Sequence, residues 1–136
     1  MKIRLAWIVV ATLIVAAAAP VFAHHSFAAE FDANKPVNLT GSLTKLDWIN
    51  PHARLFIDVK GSDGKIVNWE VELGPPAILL RNGWTKNSVK AGDVLSITGS
   101  LAKDGTNLAN ARSVTLADGT KVFAGSSAET QTNPNQ

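Results

Sequence analysis

Short segments in which apolar and polar residues alternate run through most of the chain from Pro36 onward, and glycine-containing turns separate them. Alternation with a period of two places every second side chain on the same face, as in a β-strand with one buried face. Glycine inside a strand often marks a bulge, so the long first strand is expected to bend or bulge at Gly41. The pattern predicts five strands, over residues 37–48, 54–60, 66–73, 94–101 and 109–116.

One short helix is expected between the third and fourth strands, over residues 76–83. Pro76 suits the first turn of this helix, and Gly83 suits a left-handed residue just beyond its last turn. Three strands, a helix and two strands is the element order of an OB-type five-stranded barrel. A sandwich would use the same strands, but the position of the helix favours the barrel. The predicted fold class is therefore all-β with one short helix, a small OB-like five-stranded β-barrel.

The first 23 residues have the pattern of a cleavable export signal. Lys2 and Arg4 give a positive start, residues 5–19 are almost all apolar, and residues 21–23 offer the small or branched side chains that a signal peptidase reads. An uncleaved membrane anchor is the alternative, but the apolar run is shorter than the ~20 residues of a spanning helix. We expect a periplasmic or secreted protein with no stable membrane insertion after cleavage.

The predicted barrel, residues 36–124, lies between two segments of different character. Residues 24–35 form a polar and aromatic arm at the start of the mature protein. Residues 125–136 are rich in Ser, Thr, Asn and Gln without periodicity, which is typical of a disordered tail. Cleavage after residue 23 leaves 113 of the 136 residues, enough for one small domain with a single core.

The charge of the mature protein differs from that of the whole chain. The chain has 13 Lys and Arg against 11 Asp and Glu, and cleavage removes Lys2 and Arg4, which leaves 11 of each sign. A neutral domain without a long basic run lacks the charge with which proteins bind the phosphate backbone. Nucleic acid is therefore not an expected partner.

Sulfur chemistry is excluded by composition. The chain contains no cysteine, and its one methionine is Met1. Disulfides, CxxC redox chemistry, covalent haem attachment and thiolate metal sites all require cysteine, and thioether sites for Cu(I) require methionine. Any metal site must use histidine, carboxylate, amide or a free amine.

The three histidines of the chain are His24, His25 and His52. Cleavage after Ala23 makes His24 the first residue, so its amine and its imidazole can chelate one metal ion together. His52, in the turn after the first strand, would complete a nitrogen-rich set of the kind that suits Cu(II). Oxygen ligands could come from Glu30, Asp32 or Asp47. The alternative is that the N-terminal pair binds no physiological metal, and that His52 caps a turn or pairs with Asp47.

Two further groups of residues have both a structural and a functional interpretation. Trp48, Trp69 and Trp84 are expected to pack in the core, and the alternative is a stacking surface on the barrel face. Glu70 and Glu72 share one face of a strand, where acid-base chemistry is conceivable but soluble surface is the expected role. No Ser-His-Asp order, phosphate-binding glycine loop or HExxH motif is present. We therefore expect a protein that is not an enzyme.

Five segments of the sequence together form a distinctive pattern. They are Ala23-His24-His25-Ser26-Phe27, Asp47-Trp48-Ile49-Asn50-Pro51-His52, Asn68-Trp69-Glu70, Leu79-Leu80-Arg81-Asn82-Gly83-Trp84 and Ala109-Asn110-Ala111-Arg112-Ser113-Val114. The most specific parts are the His-His start and the Asn-Pro-His turn. In these segments the chain resembles an uncharacterised exported bacterial family, domain-of-unknown-function family 6152, from about His24 to Gly125. The resemblance implies a periplasmic or secreted bacterial protein and no particular activity.

Two functional hypotheses follow for the exported domain. The first is binding or delivery of Cu(II) through His24, His25 and His52, with copper as the one expected cofactor. The second is a metal-free binding module that takes a small ligand or an envelope protein on a barrel face or loop.

Overall fold

The structure, a computed structural model, describes residues 27–125 of the chain. The predicted signal peptide, His24, His25 and the tail from residue 126 lie outside these residues. Within the described part, no helix is long and apolar enough to cross a membrane. The elements in chain order are α1 (Phe27–Glu30), β1 (Phe31–Asp47), β2 (Arg54–Lys60), β3 (Ile66–Glu72), α2 (Pro76–Arg81), β4 (Val94–Ala102), β5 (Leu108–Thr115) and β6 (Lys121–Phe123).

Five of the strands close into a ring. The sheet order is β3-β2-β1-β4-β5-β6, and β3 also pairs with β5 in parallel, which joins the two ends of the five-strand set. All other strand pairs are antiparallel, and β6 lies at the edge of β5. The prediction of a mostly β fold with five principal strands, and a short helix between the third and fourth, is confirmed. The last four strands of the ring lie within one residue of their predicted bounds.

The strands of the ring are strongly staggered. One row of paired residues can be followed around the ring from one end of β1 to the other. It runs through Asp47, Arg54, Glu72, Asn110, Ser100 and Pro36. Because the row leaves β1 at residue 47 and returns to it at residue 36, the stagger amounts to about eleven residues. This stagger places the end of β3 beside the start of β5.

The first strand begins six residues earlier than the sequence pattern indicates. Phe31 and Asp32 already pair with β4, and the register then shifts before pairing resumes at Pro36. The three residues between them interrupt the period of two, so alternation is not visible before Pro36. Phe31 is buried, and its ring stacks on that of Phe27 at a centroid distance of 5.6 Å. The predicted arm of residues 24–35 is therefore wrong from residue 31 on, where the chain is already part of the sheet.

The bulge expected in β1 lies three residues beyond Gly41. The register against β2 shifts between Leu43 and Lys45, which leaves Thr44 without an opposite residue. Gly41 serves close approach instead, because a Cβ atom there would lie 2.6 Å from the carbonyl oxygen of Asp58. The glycine allows β1 and β2 to remain paired at that point.

The core inside the ring consists of aliphatic side chains and one tryptophan. Trp84 is 1% exposed, and its Nε1 donates to the carbonyl oxygen of Phe123 at 3.1 Å. Trp48 and Trp69 are half-buried and pack against the same core. The interpretation of the three tryptophans as core residues is therefore the one that the structure supports. The fully enclosed aliphatic residues include Leu55, Ile57, Val71, Leu73, Leu79, Leu95 and Val114.

Two turns beyond the ring repeat the same aspartate geometry. The Asp104 carboxylate accepts hydrogen bonds from the backbone N–H and the hydroxyl of Thr106, and Asp118 accepts one from the backbone N–H of Thr120. The hydrogen bonds from Thr106 and Thr120 hold the pKa of both aspartates below its usual value, because they favour the charged form. Each aspartate thus fixes the turn that its following glycine makes possible.

Helix α2 ends in the cap that its sequence predicts. Gly83 has a φ of 87°, its N–H donates to Leu80, and the N–H of Trp84 donates to Leu79. These two bonds form a Schellman motif, in which a left-handed residue turns the chain back over the last helical turn. Leu79 and Trp84 are both buried, so the cap also anchors the helix on the core.

We expect Gly83→Val to lower the free energy of unfolding by about 2 kcal/mol, because a side chain with a branched Cβ resists positive φ. Chemical denaturation of the two proteins measures the difference. Gly83→Asn is the matched control and should lose less than half as much, since asparagine tolerates the left-handed region. Equal stability of the valine variant and the unchanged protein would contradict the assigned conformation.

Candidate functional site

Three polar side chains meet where the end of β3 lies beside the start of β5. The Nδ1 atom of His52 lies 3.2 Å from Oε1 of Glu72. The side-chain amide of Asn110 donates to the same oxygen at 3.1 Å. The same carboxylate oxygen of Glu72 thus contacts both the ring nitrogen of His52 and the side-chain amide of Asn110.

Burial within this cluster is graded from the interior to the surface. Asn110 is 1% exposed and Glu72 is 7% exposed, whereas the His52 side chain is 28% exposed. A carboxylate so deeply buried requires polar partners, and Asn110 and His52 supply them. The Oδ1 atom of Asn110 is buried and has no hydrogen-bond partner among residues 27–125. The imidazole of His52 is therefore the one partly accessible group of the cluster, and the buried side chains of Glu72 and Asn110 hold it in place.

The strand register explains how Glu72 and Asn110 meet. Val71 and Leu73 are buried in the core, so alternation along β3 turns Glu72 to the other face. The same alternation applies to Asn110, between two buried alanines of β5. Parallel pairing then sets Glu72 directly opposite Asn110.

The loop that carries His52 is fastened to the end of β3 by backbone hydrogen bonds. The peptide between Asn50 and Pro51 is cis. The N–H of Ala53 donates to the carbonyl of Gly74 at 3.2 Å, and the N–H of Leu73 donates to the carbonyl of Ala53 at 2.8 Å. These contacts flank His52 and place its imidazole beside Glu72.

The contact with Glu72 determines which ring nitrogen of His52 is available. In the neutral imidazole, a carboxylate at Nδ1 favours the tautomer with the proton on Nδ1, and that tautomer has a free lone pair on Nε2. Within residues 27–125, no side chain or backbone group forms a hydrogen bond with Nε2. Metal-binding histidines are commonly held in this way, with the second nitrogen bound to a carboxylate. The arrangement supplies one oriented nitrogen ligand.

The neighbouring carboxylate has a different environment. Glu70 lies on the same face of β3 and accepts a 2.6 Å hydrogen bond from Arg54, with its side chain 33% exposed. The expectation that Glu70 and Glu72 are both soluble surface is therefore wrong for Glu72. Alternation indicates which face of the sheet a residue occupies, but it does not indicate that β5 pairs with β3 at Glu72. Asn110, whose amide holds Glu72, was not recognised as a site residue, because no local signal marks it.

The predicted metal ligands are only partly covered by the described residues. His24 and His25 lie outside them, and His52 is inside. Among residues 27–125, no three His, Asp or Glu side chains are grouped so that they could hold a metal ion. The suggested pairing of His52 with Asp47 is wrong, because Asp47 binds Lys45 at 2.8 Å while His52 binds Glu72.

Surface depressions elsewhere are small. One of about 170 Å³ lies between β1 and β4, beside Pro36, Ser100 and Arg112. Another of about 290 Å³ lies beside Glu30 and Lys103. Pockets for small organic ligands usually measure roughly 300–1,000 Å³. These two depressions therefore offer less support for a small-molecule site than the oriented imidazole offers for a metal ligand.

A family model described as "Family of unknown function (DUF6152)" matches residues 11–111. The matched range contains His24, His25 and all three members of the polar cluster. Comparisons with curated proteins and with solved structures found no match.

Proposed function

We propose a role for this chain, which belongs to DUF6152, a family of unknown function, from the geometry of His52. It is an exported small binding protein that binds or delivers Cu(II) through His24, His25 and His52. In this proposal, cleavage after Ala23 releases the domain into the periplasm or the medium and exposes the amine of His24. The protein binds the metal and does not act as an enzyme.

The observation that carries the proposal is the contact between His52 and Glu72. A histidine that only filled space would not require a buried carboxylate, itself fixed by a buried amide. That arrangement costs desolvation of Glu72, and it holds Nε2 in one orientation. An oriented imidazole with a free nitrogen is suited to a metal ligand.

The segment between the N-terminal histidines and the described chain is short. His24 precedes Phe27 by three positions, which corresponds to a reach of about 10 Å of extended chain. Helix α1 is fixed to the connection between β4 and β5, since Lys103 donates its backbone N–H to Glu30 at 2.9 Å and its ammonium to Ala28. The following strand, β5, carries Asn110. The described start of the chain is thus held at the turn that leads into the strand of the His52 cluster.

The donor set favours Cu(II) over other metals. With no cysteine, and with Met1 lost on cleavage, the proposed set of His24, His25 and His52 consists of imidazoles and an amine. Cu(II) lies at the top of the affinity order for nitrogen ligands and accepts planar nitrogen-rich sets. Zn(II) is the runner-up for imidazole.

The test is a Cu(II) titration of protein that begins at His24, followed by electron paramagnetic resonance. We expect one Cu(II) per chain in nitrogen-rich coordination. An added Ala before His24 should weaken binding by at least about tenfold, because the amine then lies on a different residue from the imidazole. His52→Ala should weaken it by a similar factor. An Ala added after Gln136 is the matched control and should change nothing.

Copper affinity should fall as the pH drops, because protons compete with the metal for imidazole nitrogens. Unchanged affinity in both the Ala-extended protein and His52→Ala would reject the proposed ligand set. The metal-free binding module would then be the better account of the domain.

A further inference from the structure

One stretch of the ring has a side that no described residue covers. β3 pairs with β2 over its whole length, from Ile66 to Glu72. Its other side pairs with β5 only from Glu70 onward. The stretch Ile66–Trp69, here called the β3 edge, therefore has one strand neighbour among residues 27–125.

The backbone groups that point outward from the β3 edge can be identified. The N–H of Glu70 donates to the carbonyl of Asn107, on the β5 side. Backbone groups of residues two apart in a strand point in the same direction. The N–H and C=O groups of Ile66 and Asn68 therefore point to this side as well. They lie before the start of β5 and have no strand partner in the described part of the chain.

The side chains at the β3 edge are unusually apolar for an open strand. Ile66 is 67% exposed and Val67 is 38% exposed. Proteins commonly protect a strand edge with charged residues, proline or a bulge. None of these lies between Ile66 and Trp69.

We propose that the β3 edge pairs antiparallel with the β3 edge of a second copy of this chain. The two-fold axis passes at Val67, so that Ile66 of each copy lies opposite Asn68 of the other. Both residues carry the outward-pointing N–H and C=O groups, so each strand supplies the hydrogen-bond partners that the other strand lacks. The pairing is isologous, so it closes as a dimer and leaves no β3 edge free for a third copy.

The side chains of the β3 edge complement each other in this register. Lys65 of each copy lies opposite Trp69 of the other, on the same face of the extended sheet. Trp69 is half-buried against the core, and an ammonium near its ring gives a cation–π contact. Val67 meets its own counterpart, and no two like charges face each other. A second copy therefore suits this edge better than a charged peptide.

The contact is short, and that limits its strength. The surface that four residues per copy can bury is well below the roughly 1,200 Å² of total surface buried in standard stable interfaces. The dimer is therefore weak and depends on protein concentration.

The test is sedimentation equilibrium of the metal-free protein that begins at His24, in chelator, from about 10 μM to about 1 mM. The weight-average mass should rise toward twice the monomer mass. Hydrogen exchange at the amides of Ile66 and Asn68 should slow as concentration rises. Chelator keeps this result independent of the copper proposal.

Two variants address the interface directly. Asn68→Pro removes an outward N–H that bonds no described residue, and Ile66→Lys places a charge on the edge; each should abolish the rise in mass. Val94→Lys, at another exposed apolar residue, is the matched control and should dimerise like the unchanged protein. A monomer at every concentration, a dimer that persists in both folded variants, or amide protection independent of concentration would each overturn the proposal.

Discussion

Replacement of Gly99 by alanine is expected to lower the free energy of unfolding by about 3 kcal/mol, the upper end of the usual cost of overpacking. A Cβ atom at this position would lie 2.0 Å from the carbonyl oxygen of Asn110 and 2.9 Å from its carbonyl carbon. Both are backbone atoms, so no side chain can rotate away. β4 and β5 would have to separate where β5 also pairs with β3, and the ring would loosen at that point.

Two other glycines provide a graded control for Gly99→Ala. Gly41→Ala would place a Cβ 2.6 Å from a backbone oxygen, so a smaller but clear loss is expected. Gly61→Ala would approach within 2.9 Å of the carboxylate of Asp63, which can move, so a change within about 0.5 kcal/mol is expected. Denaturant unfolding of the three variants measures the order of their losses in the free energy of unfolding. Equal stability of the Gly99 and Gly61 variants would show that β4 and β5 are not so closely paired.

Glu72→Ala is expected to reduce both stability and copper binding. The amide of Asn110 would lose its described partner while it remains buried, which costs about 1–3 kcal/mol. His52 would lose the group that orients its ring, and loss of such a contact typically lowers metal affinity about 10–100-fold. Denaturation and Cu(II) titration of the same samples measure the two effects.

Glu70→Ala is the matched control for Glu72→Ala. Both glutamates lie on one face of β3, but Glu70 binds the exposed Arg54 and does not touch His52. Its replacement should change stability by less than about 1 kcal/mol, as for other surface ion pairs, and leave copper affinity unchanged. A stability loss without a change in copper affinity in Glu72→Ala would confirm the buried cluster and reject its role in metal binding.

Local patterns were sufficient to predict most of the strands and the helix. The alternation from Arg54 to Lys60 and the pair of Pro76 and Gly83 reflect interactions within a few residues, so one chain segment contains the whole signal. The start of β1 was missed for the same reason. Three residues inserted after Asp32 remove the alternation, although pairing with β4 continues on both sides of them.

The polar cluster shows what sequence patterns leave out. His52 was singled out because of its residue type, but its partner could not be inferred. Glu72 and Asn110 are separated by a helix and a strand, and only the parallel pairing of β3 and β5 brings them together. That pairing depends on the stagger of the closed ring, which is a property of the whole domain. The arrangement of His24 and His25 around His52 remains a prediction.

The closed ring also has a consequence for the order of folding. The strand that closes it, β5, begins at Leu108, near the end of the described chain, and its parallel partner β3 ends at Glu72. β1 likewise pairs with a strand from the far half of the chain, so two of the five strand pairings around the ring join segments that are distant in sequence. Domains in which such distant contacts are frequent fold more slowly than helical bundles, whose contacts are mostly local. A chain emerging from a ribosome or a membrane channel cannot complete this ring until nearly all of it is free.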